Sequence, residues 1–312
     1  MKLLVTGASG FVGRNVLIGM PRDWQVVATY RRDASFPEFL RAKGLAHVRA
    51  VRVDLTDERA GDALGERSFD ACVHLAANGD PARSVEATAE DLRANALSVV
   101  NVLARCTFGH FVFFSSGAVY DGLQGEVTPA SAVRPALPYA ISKWAAERYV
   151  EAARKHGRIR VASIVRFFGA YGPYEPERKI YGRLVRRFAF EREPRFTIRG
   201  DGRNLIDAMY VDDAVTGVRA ILEKPGESAT FDLASGHPLM LRDLVAEAAR
   251  AFGLEAEIAF EGAVPEYIEF RSADRTMAAR YGFAPRVSLA EGLRRFKEWM
   301  AKGEPCPATK TA

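Results

Sequence analysis

Three glycines, Gly7, Gly10 and Gly13, stand in a Gly-x-x-Gly-x-x-Gly spacing between an apolar stretch and a helix-forming one, and they constrain this chain more than any other feature. Lys2-Leu3-Leu4-Val5 reads as a short buried strand, Thr6 to Gly10 as a tight loop, and Phe11 to Met20 as the opening of a helix. Gly7 permits the turn, Gly10 lets backbone approach a pyrophosphate, and Gly13 lets the helix pack closely on the strand. The amide groups and the positive helix end are then left facing phosphate. The spacing differs from the commoner Gly-x-Gly-x-x-Gly fingerprint, and a glycine triplet by itself also suits a plain corner between strand and helix. Its place directly after an apolar strand favours dinucleotide binding.

Further strand-like runs recur at Val26 to Tyr30, His47 to Val53, Ala71 to His74, Phe111 to Ser115 and Arg160 to Arg166. Helical segments separate them, at Glu58 to Leu64, Ser84 to Cys106 and Tyr139 to Lys155, with Asp57 and Pro138 as helix starts. Such alternation predicts an α/β protein with a parallel sheet covered on both faces. After Gly172-Pro173 the pattern changes to an arginine-rich stretch, followed by helices at Asp212 to Glu223, Leu241 to Phe252 and Leu289 to Met300. Short strands lie at Thr230 to Leu233 and Glu255 to Phe260, and the tail from Gly303 to Ala312 reads as frayed. The expected division is a dinucleotide-binding domain from residues 1–172 plus about 207–235. A smaller α/β substrate domain takes about 173–206 and 236–312.

Composition narrows the function classes. A net charge of +5 over 312 residues, with no basic low-complexity tail, argues against nucleic-acid binding and suits an anionic small ligand. Cys72, Cys106 and Cys306 form no Cys-x-x-Cys pair, and the five histidines show no ligand spacing, so neither a disulfide framework nor a metal site is expected. No apolar run reaches the ~18 residues that span a bilayer. The expectation is a soluble cytoplasmic protein with no membrane partner.

Tyr139-Ala140-Ile141-Ser142-Lys143 places a phenol and an ammonium four residues apart, on one face of a helix. A fixed positive charge nearby stabilises phenolate, lowers the tyrosine pKa and lets it exchange a proton with a substrate oxygen near neutral pH. In an open parallel sheet, ligands sit beyond the carboxyl ends of the strands. Gly7 follows the first strand, Asp54 the third, Ala76-Ala77 the fourth, Ser115-Ser116 the fifth and Phe168-Gly169 the sixth.

In order and spacing, Thr6 to Gly13, Asp54-Leu55, His74 to Ala77, Asn95, Ser115 to Tyr120, Tyr139 to Lys143, Arg166 to Pro173, Tyr210 to Asp213 and Asp274 to Pro285 resemble one family. It is the extended short-chain dehydrogenase/reductases, also called the NAD(P)-dependent epimerase/dehydratase family, and the resemblance covers nearly the whole chain. It implies a Rossmann-type doubly wound sheet and an enzyme acting on a nucleotide-diphosphate sugar. Tyr139 would be its acid/base, Lys143 the partner that also binds the nicotinamide ribose, and Ser116 the group that orients the reacting oxygen. Asp54 would receive the adenine amino group beside Leu55. The cofactor would further be lined by Gly7, Ser9, Gly10, Phe11, Val12, Gly13, Tyr30, Leu75, Ala76, Ala77, Asn95, Arg166 and Phe168. By family analogy the helices Ser84 to Cys106 and Tyr139 to Lys155 would pair in a homodimer.

Where NAD-using relatives usually carry an acid after the second strand, this chain reads Tyr30-Arg31-Arg32. Two guanidinium groups suit a 2′-phosphate, so NADP is the expected cofactor, with NAD as the alternative if Asp33 turns to the ribose. Family dehydratases place Asp-Glu after the catalytic hydroxyl, and uronate decarboxylases a glutamate. Gly117-Ala118 here leaves simple hydride transfer. These points give an NADPH-dependent reductase of a 4-keto nucleotide sugar as the first expectation and an NAD-dependent sugar 4-epimerase as the alternative. A non-catalytic dinucleotide sensor is the remaining one. The substrate would meet Asn78, Asp80, Ser84, Ser115, Gly117, Gly169, Arg178, Arg183 and Arg203. Gly169 stands where sugar-nucleotide enzymes often have asparagine, and Ile206 precedes Asp207 where they have arginine.

Overall fold

A computed structural model describes residues 1–263 and 268–304. Cys306, and the expected frayed tail from residue 305 onward, lie outside the described residues. Seven strands form one sheet: β1 (Lys2–Thr6), β2 (Gln25–Tyr30), β3 (Val48–Arg52), β4 (Ser68–His74), β5 (Thr107–Ser116), β6 (Ile159–Phe167) and β7 (Ala229–Leu233). Their order is β7-β6-β5-β4-β1-β2-β3, and every pairing is parallel. The order reverses between β1 and β4, the point at which a doubly wound sheet opens a crevice for a dinucleotide.

Successive side chains on a strand face opposite sides of the sheet, and this alternation divides the core in two. Leu3, Val5, Val26, Ala28, Val73, Val112, Phe114 and Val165 pack under the helices Phe11–Gly19, Phe36–Ala42 and Val211–Glu223. Leu4, Val27, Cys72, Phe111, Phe113, Ala162 and Ile164 pack on the other side, under Ser98–Arg105 and Pro138–Lys155. With both faces covered, the strands read as nearly continuous apolar runs.

The expected single helix from Ser84 to Cys106 is divided. It runs as Pro81–Glu86, Thr88–Leu92, a π-helical turn Arg93–Leu97 and Ser98–Arg105. Ala87, at φ −133 and ψ 58, interrupts the first break, and the wide turn follows where Asn95 is drawn into buried hydrogen bonds. The helix Phe36–Ala42, which the sequence reading missed, carries Phe36, Phe39 and Leu40 into the core.

Beyond Gly172, short ladders close the structure over the strand ends. Arg195–Arg199 pairs with Glu257–Glu261 in parallel, and Leu205–Ile206 with Leu239–Met240 antiparallel. Met209–Tyr210 lies beside Ala170–Tyr171, and Glu269–Ser272 beside Gln124–Val127. Phe188, Leu244, Phe296 and Trp299 from this part join the same core cluster as Leu3 and Val165. At Glu304 the chain is anchored, since its carboxylate accepts from Lys43 Nζ and from the Tyr174 hydroxyl, each at 2.8 Å.

Candidate active site

The glycine loop forms as its spacing requires. Gly7 sits at φ +63, where a Cβ would meet backbone atoms of Ala76 and Leu75 at 2.7 to 2.9 Å. Thr6 Oγ1 accepts from the N–H groups of Leu75 and Ala76, both at 3.1 Å, and ties the ends of β1 and β4 together. A Cβ at Gly10 would meet only the Gly7 carbonyl, at 3.3 Å, and would otherwise stand in an open groove. The helix Phe11–Gly19 starts there with its amides directed outward, so the loop fits a dinucleotide pyrophosphate.

The groove has two connected parts that share Gly7, Gly10, Leu75 and Ala77. One, of about 290 Å³, is bounded by Ser9, Tyr30, Arg31, Arg32, Asp33, Asp54, Leu55 and Ala76. The other, of about 560 Å³, reaches Phe11, Val12, Gly13, Tyr139, Lys143 and Phe167, with Asn78, Asp80, Glu175 and Arg178 at its mouth and far wall.

At the first end, Arg31 Nη1 donates to Asp54 at 3.2 Å. Burial opposes ionisation of Asp54, but hydrogen bonds from Thr56 and the Arg31 charge outweigh it and hold the carboxyl below its usual value. Asp33 is taken by Arg14 in a buried pair at 2.6 Å and by Ser35, which leaves Arg32 exposed at the rim.

At the second end, Pro138 opens the helix that carries Tyr139 and Lys143, and the Asp121 carboxylate accepts from the N–H groups of Ala136 and Leu137 just before it. Ser84 Oγ accepts from the Tyr139 N–H at 3.0 Å. Ser116 Oγ accepts from the Ala118 N–H at 3.1 Å and hydrogen-bonds the Tyr139 side chain. Burial pushes the Tyr139 phenol above its ordinary value; the bond with Ser116 pulls it down and the charge of Asp91 adds to the rise. The lowering expected from Lys143 does not outweigh burial at the phenol. Lys143 Nζ donates to the Phe114 carbonyl and lies 4.9 Å from the centre of the Phe113 ring. Burial brings its pKa down to about 8, against the pull of Glu147 and Asp91.

Tyr139 and a buried lysine of lowered pKa at one end of a dinucleotide-shaped groove, with Ser116 bonded behind the phenol, can pass a proton to and from a sugar or carbonyl oxygen. Residues 3–234 match the family described as the NAD dependent epimerase/dehydratase family. The chain belongs to that family.

A dTDP-glucose 4,6-dehydratase of Streptomyces griseus is 30% identical over 96% of this chain and 94% of its own length. An uncharacterized UDP-glucose epimerase of Bacillus subtilis, YtcB, is 28% identical over 72% of this chain and 73% of its own. Among solved structures, MoeE5 in complex with UDP-glucose and NAD superposes with a TM-score of 0.84 at 27% identity, covering 98% of this chain and 100% of that one.

Within this epimerase/dehydratase framework several expected site residues stand elsewhere. Arg166 shares the phase of Ala162 and Ile164 on β6, so it faces the helix Pro138–Lys155 rather than the groove, and its guanidinium pairs with Glu147 at 3.0 and 2.9 Å. Ser115 borders the groove, but its hydroxyl donates to the same Glu147 at 2.6 Å. Phe167, one residue earlier than the expected Phe168, lines the groove; Phe168 packs against Tyr120 and Phe270. Asn95 is fully buried, accepting from the Asn78 N–H at 2.7 Å and donating to Asp91 and Ser142 at 2.9 Å.

Of the expected substrate residues, Asn78 and Asp80 border the cleft, and Asp80 meets Arg178 at 3.2 Å across its mouth. Ser84 is buried and holds the Tyr139 backbone. Gly117 backs onto the Phe168 ring, and Gly169 onto Ala208 and Asp207. Arg183 lies over the Phe196 ring, and Arg203 bonds Asp201 on its own loop. None of these last four borders either part of the groove.

Two acids went unnoticed in the sequence. Glu175 is a buried carboxyl on the far wall of the cleft, where desolvation lifts its pKa to about 8 against the charge of Lys179. Asp91 is 2% exposed behind the helix Pro138–Lys155. Each looks in sequence like an ordinary surface acid, and no spacing marks it out.

Proposed function

We propose that this chain is an NAD-dependent 4-epimerase of a nucleoside diphosphate sugar, acting in the cytoplasm as a homodimer. The bound nicotinamide would supply the hydride acceptor and donor. Tyr139 would accept the proton of the 4-hydroxyl and return it to the same oxygen once the configuration at carbon 4 has changed. Ser116 would hold that oxygen by a hydrogen bond, and Lys143 would hold the ribose. Asn78, Asp80 and Arg178 would meet the sugar and its phosphates.

One observation carries the reading against dehydration. Directly after Ser116 the chain carries Gly117 and Ala118, so neither of the two positions that would hold an eliminating acid supplies one. The UDP-glucose and NAD of MoeE5, and the UDP-glucose epimerase name of the Bacillus subtilis relative, support a nucleotide sugar and NAD. Leu92, Leu97, Ile141 and Tyr149, exposed on the neighbouring segments Thr88–Leu92, Arg93–Leu97 and Pro138–Lys155, support a helix-to-helix dimer. A second reading, an NADPH-dependent reductase of a 4-keto nucleotide sugar, is favoured by Arg31 and Arg32 at the ribose end.

The deciding experiment incubates the protein with NAD and either UDP-glucose or UDP-glucuronic acid and follows carbon 4 by proton NMR. Inversion with no net consumption of dinucleotide is the expected result. Stoichiometric NADPH oxidation by a 4-keto sugar, with no epimer formed from either nucleotide sugar, would replace the epimerase with the reductase.

A further inference from the structure

Asp91 projects from the segment Thr88–Leu92 toward the helix that carries Tyr139 and Lys143. One carboxylate oxygen accepts from Asn78 Nδ2 at 2.8 Å and from Asn95 Nδ2 at 2.9 Å; the other accepts from Ser142 Oγ at 2.5 Å. Ser142 immediately precedes Lys143, and its hydroxyl also bonds the Tyr139 carbonyl at 3.0 Å. Asn95 closes the ring, binding Ser142 Oγ at 2.9 Å and the Asn78 backbone at 2.7 Å. A single buried carboxylate therefore links the loop at the cleft mouth, the π-helical turn and the catalytic helix.

Its charge has a different standing from that of the other buried acid on this side. Glu147 is matched by the bidentate guanidinium of Arg166. The three side-chain donors on Asp91 are neutral amides and a hydroxyl, so its negative charge is left to act on its surroundings. The groups around Lys143 are Glu147 one turn on, Asp91, the Tyr139 phenol, Glu175 on the far wall, and His74 from β4. Burial and the Lys143 charge hold His74 neutral, with a pKa of about 3. On its outer side Asp91 borders a small cavity with Arg31, Arg32, Arg83, Glu90 and Arg93.

We propose that Asp91 is a positioning residue, the carboxylate that keeps the buried Lys143 in its ammonium form and fixes the Tyr139 to Lys143 turn against the Asn78 loop. The role builds on the assignment of Tyr139 and Lys143 as the acid/base pair. Desolvation alone drives a buried lysine toward the neutral amine, which has no charge with which to stabilise a phenolate. Glu147 first and then Asp91 oppose that loss, and Asp91 does so with only neutral donors bonded to it.

The test uses the full chain and an NMR titration of the lysine ¹³Cε signal that is missing in Lys143→Met protein, a readout independent of any substrate. In the Asp91→Asn protein the Lys143 midpoint should fall below its wild-type position near 8. Turnover should drop more at pH 8 than at pH 6. Asp91→Glu keeps the charge and should keep the midpoint. An unmoved midpoint in Asp91→Asn overturns the proposal, as does an Asp91→Glu protein that titrates like Asp91→Asn. Should Tyr139→Phe retain full turnover, the acid/base assignment would fail while the midpoint shift still reported on Asp91.

Discussion

Glu147 receives both arms of the Arg166 guanidinium, at 3.0 and 2.9 Å, one helical turn after Lys143, with Glu147 fully buried and Arg166 3% exposed. Ser115 adds a third bond to the same carboxylate. The pair joins the end of β6 to the helix Pro138–Lys155, and the Arg166 guanidinium lies 4.9 Å from the centre of the Tyr120 ring, whose hydroxyl donates to Asp232 at 2.7 Å.

Removing one member leaves the other charged and buried. Arg166→Met or Glu147→Met should each cost about 3–5 kcal/mol in urea denaturation. The double Met variant should recover most of that loss, because no uncompensated charge remains. Additive losses in the double variant would mean that the two residues stabilise the fold independently of their pairing.

The glycine loop makes a second prediction. At Gly7 an alanine must adopt φ +63 and place its Cβ within 2.7 to 2.9 Å of the Ala76 and Leu75 backbone, which cannot rotate away as a side chain would. Gly7→Ala should lose at least about 1–3 kcal/mol of stability through strain alone. It should also abolish the thermal shift given by a dinucleotide, because Gly7 borders both parts of the groove. A variant that still shows the wild-type shift would place the dinucleotide elsewhere.

What the sequence disclosed and what it concealed follow from the range of the interactions. The strand, loop and helix around Gly7 and the spacing of Tyr139 and Lys143 are local, and helix geometry suffices to put both side chains at one end of the groove. Phe168 was expected where Phe167 stands, because neighbouring residues at a strand end differ by a face and motif spacing does not resolve that single step. Arg166 and Asn95 carry polar groups suited to a ligand, yet their partners Glu147 and Asp91 are separated from them in sequence or hidden on a helix. The break near Ala87 and the π-helical turn depend on that same buried network, which propensity alone does not reveal.

If this end of the groove takes the adenosine ribose as proposed, cofactor choice turns on Arg31 and Asp54. Their contact at 3.2 Å is partly exposed, and a 2′-phosphate would compete with the carboxylate for the same guanidinium. Asp54→Asn should therefore raise the affinity for NADP relative to NAD by about 2- to 5-fold, the size of a surface ion pair. Any contact of residue 54 with adenine is common to both dinucleotides and cancels in the ratio. Dissociation constants for the two, measured side by side, supply the check. An unchanged ratio would leave Arg31 without a part in discrimination.

Lys143 makes the protein's pH behaviour predictable in sign. Its pKa falls from 10.5 to about 8 on folding, chiefly because burial penalises the ammonium. Between those two values the unfolded chain holds a proton on this residue that the folded one has released, so its contribution to stability rises with pH across that window. Activity would run the opposite way on the proposed role of Lys143: it would need the ammonium and should decline as pH climbs through about 8. Denaturation of wild-type and Lys143→Met protein at pH 7 and at pH 10 isolates the stability effect. The wild type should gain on the variant at the higher pH, and a gap that stays constant would show that Lys143 keeps its ordinary pKa inside the fold.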